Sequence, residues 1–222
     1  MEVTKYYVLN LPYRTDRKEA ATVELEKAGV DNYEFLVSTH WKDLGQEELD
    51  RLINLEYRHV TKDMNARYAL AACGYTHLHA IKQFIDVYGT DGTQACVILE
   101  DDFTIVDHLK IKEQINEAIN ATPDWDFIYL GGLRNAKEDK REEYLPNLNI
   151  AISVWNAHAY VIRNTQDIYD RTLDLYNRGF FADRAFRKMI RDDKRNKQRY
   201  LITCPYTIMQ KRNFSDINSC VR

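Results

Sequence analysis

The sequence predicts an α/β fold: a mostly parallel sheet with helices on both faces, extended late in the chain by a small antiparallel piece. Three observations carry that expectation. Strand-like and helix-like segments alternate through the first half of the chain, the pattern of parallel strands joined by helical crossovers. An apolar run at residues 96–99, Cys-Val-Ile-Leu, reads as a buried strand and halts at three consecutive acids, Glu100, Asp101 and Asp102. After residue 150 the strand-like segments come closely spaced, which suits antiparallel neighbours.

Taken in order, residues 5–11 (Lys-Tyr-Tyr-Val-Leu-Asn-Leu) are rich in β-formers and read as the first strand. Residues 15–28 follow as an amphipathic helix, opened by Thr15-Asp16 and closed by Gly29. Residues 33–38 make a second strand. Residues 46–58 place Leu49, Leu52, Ile53 and Tyr57 on one helical face, and residues 72–88 do the same with Leu78, Ile81, Ile85 and Tyr88 before Gly89 ends the helix. A loop at 89–92 leads into the strand that stops at the acids. Residues 107–121 read as a helix and residues 126–130 as a strand broken by Gly131-Gly132. The charged stretch 134–147 reads as a solvated loop and 150–163 as two short strands. Residues 164–177 and 183–194 are helical, and 199–203 is a late strand.

The length of 222 residues suits one domain, and 45% hydrophobic content supplies a core. The 31 basic and 34 acidic side chains nearly cancel, which excludes a general attraction to nucleic acid. An anionic ligand therefore has to be held by local charges. The N-terminal residues run straight into a strand-like segment without the regions of a signal peptide. No apolar stretch reaches membrane-span length, so peripheral contact is the most membrane association expected. Cys73, Cys96, Cys204 and Cys220 lie far apart, without zinc-like spacing. Reduced thiols in a cytoplasmic protein are the simplest reading.

Three like charges at the end of a strand repel one another unless something positive sits there. A hard divalent cation that also grips a diphosphate is an economical neutraliser, and it points to a nucleotide-linked substrate. Along an extended segment Glu100 and Asp102 face one way and Asp101 the other. The pair is thus expected to hold one Mn²⁺ or Mg²⁺ together with a ribose hydroxyl; the same acids also suit a cap on a following helix. A second constellation, Asn10-Leu11-Pro-Tyr-Arg14-Thr-Asp16-Arg17, closes the first strand. Arg14 and Arg17 can offer bidentate donors to phosphate, and Asp16 can accept from a base or ribose or simply cap the helix. Ligands of open α/β sheets sit at the carboxyl ends of strands, so these segments and Gly131-Gly132 are expected to converge on one cleft.

Together the segments resemble glycosyltransferase family 25, the lipooligosaccharide and procollagen galactosyltransferases. Asn10-Leu11-x-x-Arg14-x-Asp16-Arg17 is similar to the family's NLxxRxDR motif, and Cys73-x-x-Thr76-His77 to its GCxxSH helix start. Leu99-Glu100-Asp101-Asp102 is similar to LEDD, and Trp125-Asp126-x-Ile128-Tyr129-Leu130-Gly131 to WDxIYLG. Ala159-Tyr160-Val161-Ile162 and the closing Gln210, Phe214 and Ser215-Asp216-Ile217 complete the series, which runs from about residue 5 to 217.

The resemblance implies a GT-A-like fold, with a nucleotide-sugar half over about residues 1–132 and an acceptor half over about 133–222. It further implies inverting transfer of a hexose, galactose or glucose, from a UDP-sugar to a saccharide, glycolipid or glycoprotein acceptor, with lipopolysaccharide biosynthesis as the setting. Asp102 becomes the foremost ligand of Mn²⁺ (or Mg²⁺), with Glu100 and Asp101 reaching ribose or metal waters. Asn10, Leu11, Arg14, Asp16, Arg17, His77, Gln210, Ser215 and Asp216 join the donor side. His158 is a further metal or phosphate contact, or else a hydrogen-bonded residue of the core. Inversion needs a base for the acceptor hydroxyl, and Asp183, at a helix start after Phe180-Phe181, is the first choice, with a plain helix cap as its other reading. Two other classes use the same acids: a phosphoryl or nucleotidyl transferase, which would want a phosphate-cradling glycine loop or second acidic cluster, and a non-catalytic nucleotide-sugar-binding domain.

Overall fold

The computed structural model describes residues 1–47, 50, 62–134, 144–193 and 199–211. β1 (Val3–Asn10), β2 (Tyr33–Val37), β3 (Asp91–Glu100), β5 (Phe127–Tyr129), β7 (Leu148–Ile150), β9 (Ala159–Thr165) and β10 (Tyr200–Thr203) form one sheet in the order β2-β1-β3-β9-β5-β10-β7. β1 runs parallel to β2 and β3, and β10 runs parallel to β5. β9 lies antiparallel between β3 and β5, and β7 is antiparallel on β10. Five strands thus share one direction, and the mostly parallel α/β expectation holds. The antiparallel addition is not peripheral, however. β9 sits in the middle of the sheet, between strands that precede it in the chain.

Strand alternation feeds two cores. Tyr7, Leu9, Ile98, Phe127, Tyr160 and Ile202 point to one face, where α2 (Met64–Tyr88), α4 (Gln166–Asn177) and α5 (Ala182–Asp192) cover them with Ile81, Phe84, Leu175, Phe186 and Met189. Val8, Val97, Leu99, Ile128, Val161 and Leu201 point to the other, under α1 (Thr15–Lys27) and α3 (Ile111–Asn120) with Leu25, Ile115 and Ile119. Period-two burial on both faces is what a central sheet sandwiched by helices requires.

Differences from the sequence reading have local causes. α2 begins at Met64 rather than residue 72, because the Asp63 side chain accepts from the N–H groups of Asn65 and Ala66 and caps an earlier start. α3 begins at Ile111 rather than 107, after a turn that Asp107 closes on the Leu109 N–H. β3 starts at Asp91, inside the expected loop. Two small antiparallel pairings pass unseen in the sequence, β4 (Phe103–Ile105) with β11 (Ile208–Gln210), and β6 (Leu133–Arg134) with β8 (Val154–Trp155), although β8 falls in the stretch expected to hold two short strands. Residues 46, 47 and 50 of the helix expected at 46–58 are helical, and the rest of it and most of the loop expected at 134–147 lie outside the described residues.

Candidate active site

The site grows out of the strand ends at the middle of the sheet. Leu9 pairs with Glu100, and Leu99 with Ala159, so the ends of β1 and β3 meet the start of β9. The Glu100 N–H donates to the His158 carbonyl at 2.8 Å, the last ladder bond before the acids turn away. The expected alternation of the three carboxylates fails here, because β3 stops at Glu100 and Asp101-Asp102 form a turn. The turn sends Asp101 and Asp102 toward the same guanidinium. Arg17 Nη1 lies 2.8 Å from Asp101 Oδ1 and 3.6 Å from Asp102 Oδ2. Glu100 alone turns toward α2, where His77 Nε2 is 3.2 Å from its Oε1.

Each acid has its own second support. Asn10 donates to Asp101 Oδ2 at 2.7 Å and to the Arg14 carbonyl at 3.1 Å, tying the first loop to the acid turn. Gln210 Nε2 lies 3.3 Å from both oxygens of Asp102, and Asn156 donates to Gln210 Oε1 at 3.0 Å. β11 brings Gln210 there by pairing it with Phe103, and the Lys211 N–H donates to the Asp102 carbonyl at 2.7 Å. His77 is fully buried, and its Nδ1 lies 2.9 Å from the Tyr160 hydroxyl. Its ring also stacks on Tyr160, which packs in turn against Phe127 and Phe186. The core therefore fixes the position of Glu100 through His77.

These supports do not neutralise the cluster. Desolvation, then Glu100, pushes the Asp102 carboxyl up to about 7 against the pull of Arg17. Burial likewise raises Asp101, although Arg17 and Asn10 oppose it. Desolvation also works against an ionised Glu100, but the hydrogen bond from His77 and the nearby charges hold its pKa below the ordinary value. A buried surplus of negative charge with oxygen donors is the environment a hard divalent cation fits. A second cluster, Cys73, His77 and Glu100, has ligand atoms within 4.8 Å of one another. It fits a metal less well, since burial keeps the Cys73 thiol protonated and both nitrogens of His77 are already engaged.

The acids form one wall of a cleft of about 230 Å³. Leu11 lines it from the first loop, Arg17 from the first turn of α1, residues 38–41 from the segment after β2, and Cys73, Thr76 and His77 from α2. Asp183 enters from the first turn of α5, with Asn156 and Ala157 beside it. Its Oδ1 accepts from the Ala157 N–H at 2.6 Å. Desolvation, then Glu100, pushes its pKa up to about 6 despite that hydrogen bond. The carboxylate caps no N–H of its own helix; it reaches across to another segment instead.

Of the residues expected here, Leu11, Arg17, His77, Glu100, Asp101, Asp102, Asp183 and Gln210 line the cleft, and Asn10 braces it from below. Arg14 and Asp16 do not line it. They pair with each other at the exposed helix start, 2.8 Å apart, and this pairing holds Asp16 down to about 2. His158 is buried beside Gly131, its ring nitrogens unpaired apart from the nearby Ile208 carbonyl, and it is not among the cleft-lining side chains. Burial holds it neutral. Ser215, Asp216 and Phe214 lie outside the described residues. The sequence reading missed His40, Trp41, Leu70 and Asn156. Asn156 carries the one usable signal, an Asn between two strands where the backbone takes φ 72°, a conformation Asn tolerates better than most side chains.

A family model for glycosyltransferase family 25 (LPS biosynthesis protein) matches residues 3–212. Among solved structures, one similar chain is a glycosyltransferase involved in the glycosylation of the major capsid of PBCV-1. It is 10% identical, with a TM-score of 0.45 over 98% of this chain and 96% of that one. Another is the apo-form glycosyltransferase GlyE of Streptococcus pneumoniae TIGR4, 11% identical, with a TM-score of 0.42 over 86% of this chain and 44% of that one. No curated protein sequence matches the chain.

Proposed function

The chain belongs to glycosyltransferase family 25, and on that premise we propose that it moves a hexose, galactose or glucose, from a UDP-sugar to a hydroxyl of a saccharide or hydroxylated acceptor, with inversion and with a divalent cation. The observation that carries this reading is the acid cluster at the end of β3, with Asp101 and Asp102 buried against Arg17 and Glu100 held by His77, and a fourth acid, Asp183, entering the same cleft. Asp102 and Glu100 would hold Mn²⁺ or Mg²⁺. When bound, such an ion supplies Lewis-acid stabilisation to the departing diphosphate.

The protein's own groups do the rest. Arg17 keeps Asp101 and Asp102 together while remaining at the cleft wall, where it can also meet phosphate oxygens. Asn10 and Gln210 hold the two Asp carboxyls in place before ligand arrives, which lowers the ordering cost of binding. Asp183 accepts the acceptor hydroxyl's proton as that oxygen attacks the anomeric carbon from the face opposite the leaving diphosphate. Acceptor oxygen gains the carbon, the anomeric C–O bond to phosphate breaks, and the electron pair leaves with UDP.

A donor screen tests the reading. Cleavage or transfer of a UDP-hexose is expected with Mn²⁺ and is expected to stop with EDTA. Folded protein that cleaves no UDP-hexose in either condition would sink it.

A further inference from the structure

A second groove adjoins the cleft, built by the outer face of α5. Arg184, Arg187, Lys188 and Arg191 recur at the spacing that puts side chains on one side of a helix. With Trp155 of β8 and Phe180 they line a hollow of about 260 Å³. Arg184, Arg187 and Lys188 lie over aromatic rings, and Arg191 is exposed at the groove's end. The Arg187 guanidinium lies 4.3 Å from the Trp155 ring centroid, with its Nε donating to Ser153 Oγ at 2.5 Å. Lys188 Nζ lies 5.7 Å from the Phe180 centroid. Asp192 pairs with Lys188 at 2.8 Å, and no ion pair of Arg187 or Arg191 is found among the described residues.

The groove shares its backbone with the cleft. Trp155 precedes Asn156 and Ala157, which line the cleft, and Phe180 precedes Phe181, Ala182 and Asp183, which also line it. A molecule whose hydroxyl reaches Asp183 can therefore extend directly onto the basic face. The acids that would face the donor lie elsewhere in the cleft, at the end of β3 and in the turn that follows it. Among the described residues, the large exposed apolar side chains are Tyr13, Val23, Val37, Met64, Val87, Val106, Leu109 and Met209, none of them in this groove. A lipid surface wants apolar side chains that project, whereas this face is concave and cationic.

We infer that this groove is an acceptor subsite for a saccharide bearing an anionic substituent, a carboxylate or a phosphate, held by Arg187 and Arg191 while its reacting hydroxyl lies at Asp183. The inference rests on the glycosyl-transfer reading of the cleft. Planar guanidinium donors, one of them fixed in advance, favour both anions over a neutral sugar.

Calorimetry on protein loaded with UDP and Mn²⁺ tests it, with digalacturonate and trehalose 6-phosphate as anionic probes and lactose as the neutral one. At least one anionic probe is expected to bind more tightly than lactose, and the stronger of the two identifies the anion. Arg187→Gln with Arg191→Gln is expected to weaken that binding about tenfold or more while leaving UDP affinity unchanged. Because Arg187 packs on Trp155, Arg191→Gln alone serves as the variant free of any folding defect, with a smaller loss in the same direction. Equal binding of lactose and the anionic probes, or anionic binding that survives both substitutions, overturns the subsite. So does Arg191-dependent sedimentation with phosphatidylglycerol vesicles in a protein that ignores all three sugars. Intact UDP binding without anionic binding removes the groove alone, whereas absence of UDP binding removes the transferase reading instead.

Discussion

Burial acts on Asp183 and Asp102 in the same direction and to different ends. Asp183, raised to about 6 chiefly by desolvation, is ionised at neutral pH yet basic enough to share a hydroxyl proton in a transition state. Only its ionised form accepts that proton, so the transfer rate is expected to rise with pH through about 6 and then level off. Asp183→Asn is expected to keep UDP affinity and to lose transfer by about a hundredfold or more. Steady-state kinetics beside calorimetry checks this, and unchanged turnover would move the base elsewhere. Asp102, raised to about 7, makes its ionised form a cost to the empty protein. With a folded pKa above the ordinary carboxylate value, its stabilising contribution is full below that ordinary value and is lost as pH rises through about 7. Asp102→Asn cannot ionise. In EDTA it is expected to melt above the parent at pH 8, and the advantage is expected to shrink at pH 4. The same variant is expected to lose Mn²⁺-dependent UDP affinity. A higher Tm with UDP affinity intact would take Asp102 out of the metal role.

At the scale of elements, the cleft depends on a close approach at Gly131. A Cβ there would collide with the Ile208 carbonyl and come within 2.9 Å of His158 Nε2. β11, which carries Ile208, also carries Gln210 to Asp102. Gly131→Ala is therefore expected to cost about 1–3 kcal/mol and to weaken Mn²⁺-dependent UDP binding at the same time. Gly45→Ala, where a Cβ meets nothing within 4 Å, is the neutral control. Loss of stability with UDP binding unchanged would separate β11 from the site. The Gly131-Gly132 break was legible in the sequence, and so were β1, β3, α1 and α5, whose apolar periods run long enough to count. β4, β6 and β11 were not, since two or three residues carry no period. The facing of the acids was misread for a related reason. Pleat alternation holds only inside a strand, and β3 ends at the first of the three.

The whole molecule explains why most of the site could be named and its outer rim could not. Strand ends are visible in sequence, and the rule that ligands gather at carboxyl ends of open sheets joined Asn10, Arg17 and the acids to one cleft. His40, Trp41 and Asn156 reach the same cleft on connecting loops, whose placement follows from tertiary packing: the Thr39 N–H, for example, is anchored on Thr76 Oγ1 of α2 at 3.0 Å. The finished cleft draws on β1, α1, α2, β3, α5 and β11, so ligand bound there bridges segments from residue 9 to residue 210. Binding that bridges the native fold stabilises it against unfolding by mass action, about 2.7 kcal/mol at a hundredfold excess over Kd. For a chain of this size that corresponds to a rise in Tm of about 5–10 °C. UDP with Mn²⁺ is expected to give such a shift, and UDP with EDTA a much smaller one, because the negative charge at Asp102 then opposes the diphosphate directly. Thermal melts in the two buffers decide it. Equal shifts would remove the cation from donor binding, and no shift in either would remove the nucleotide from this cleft.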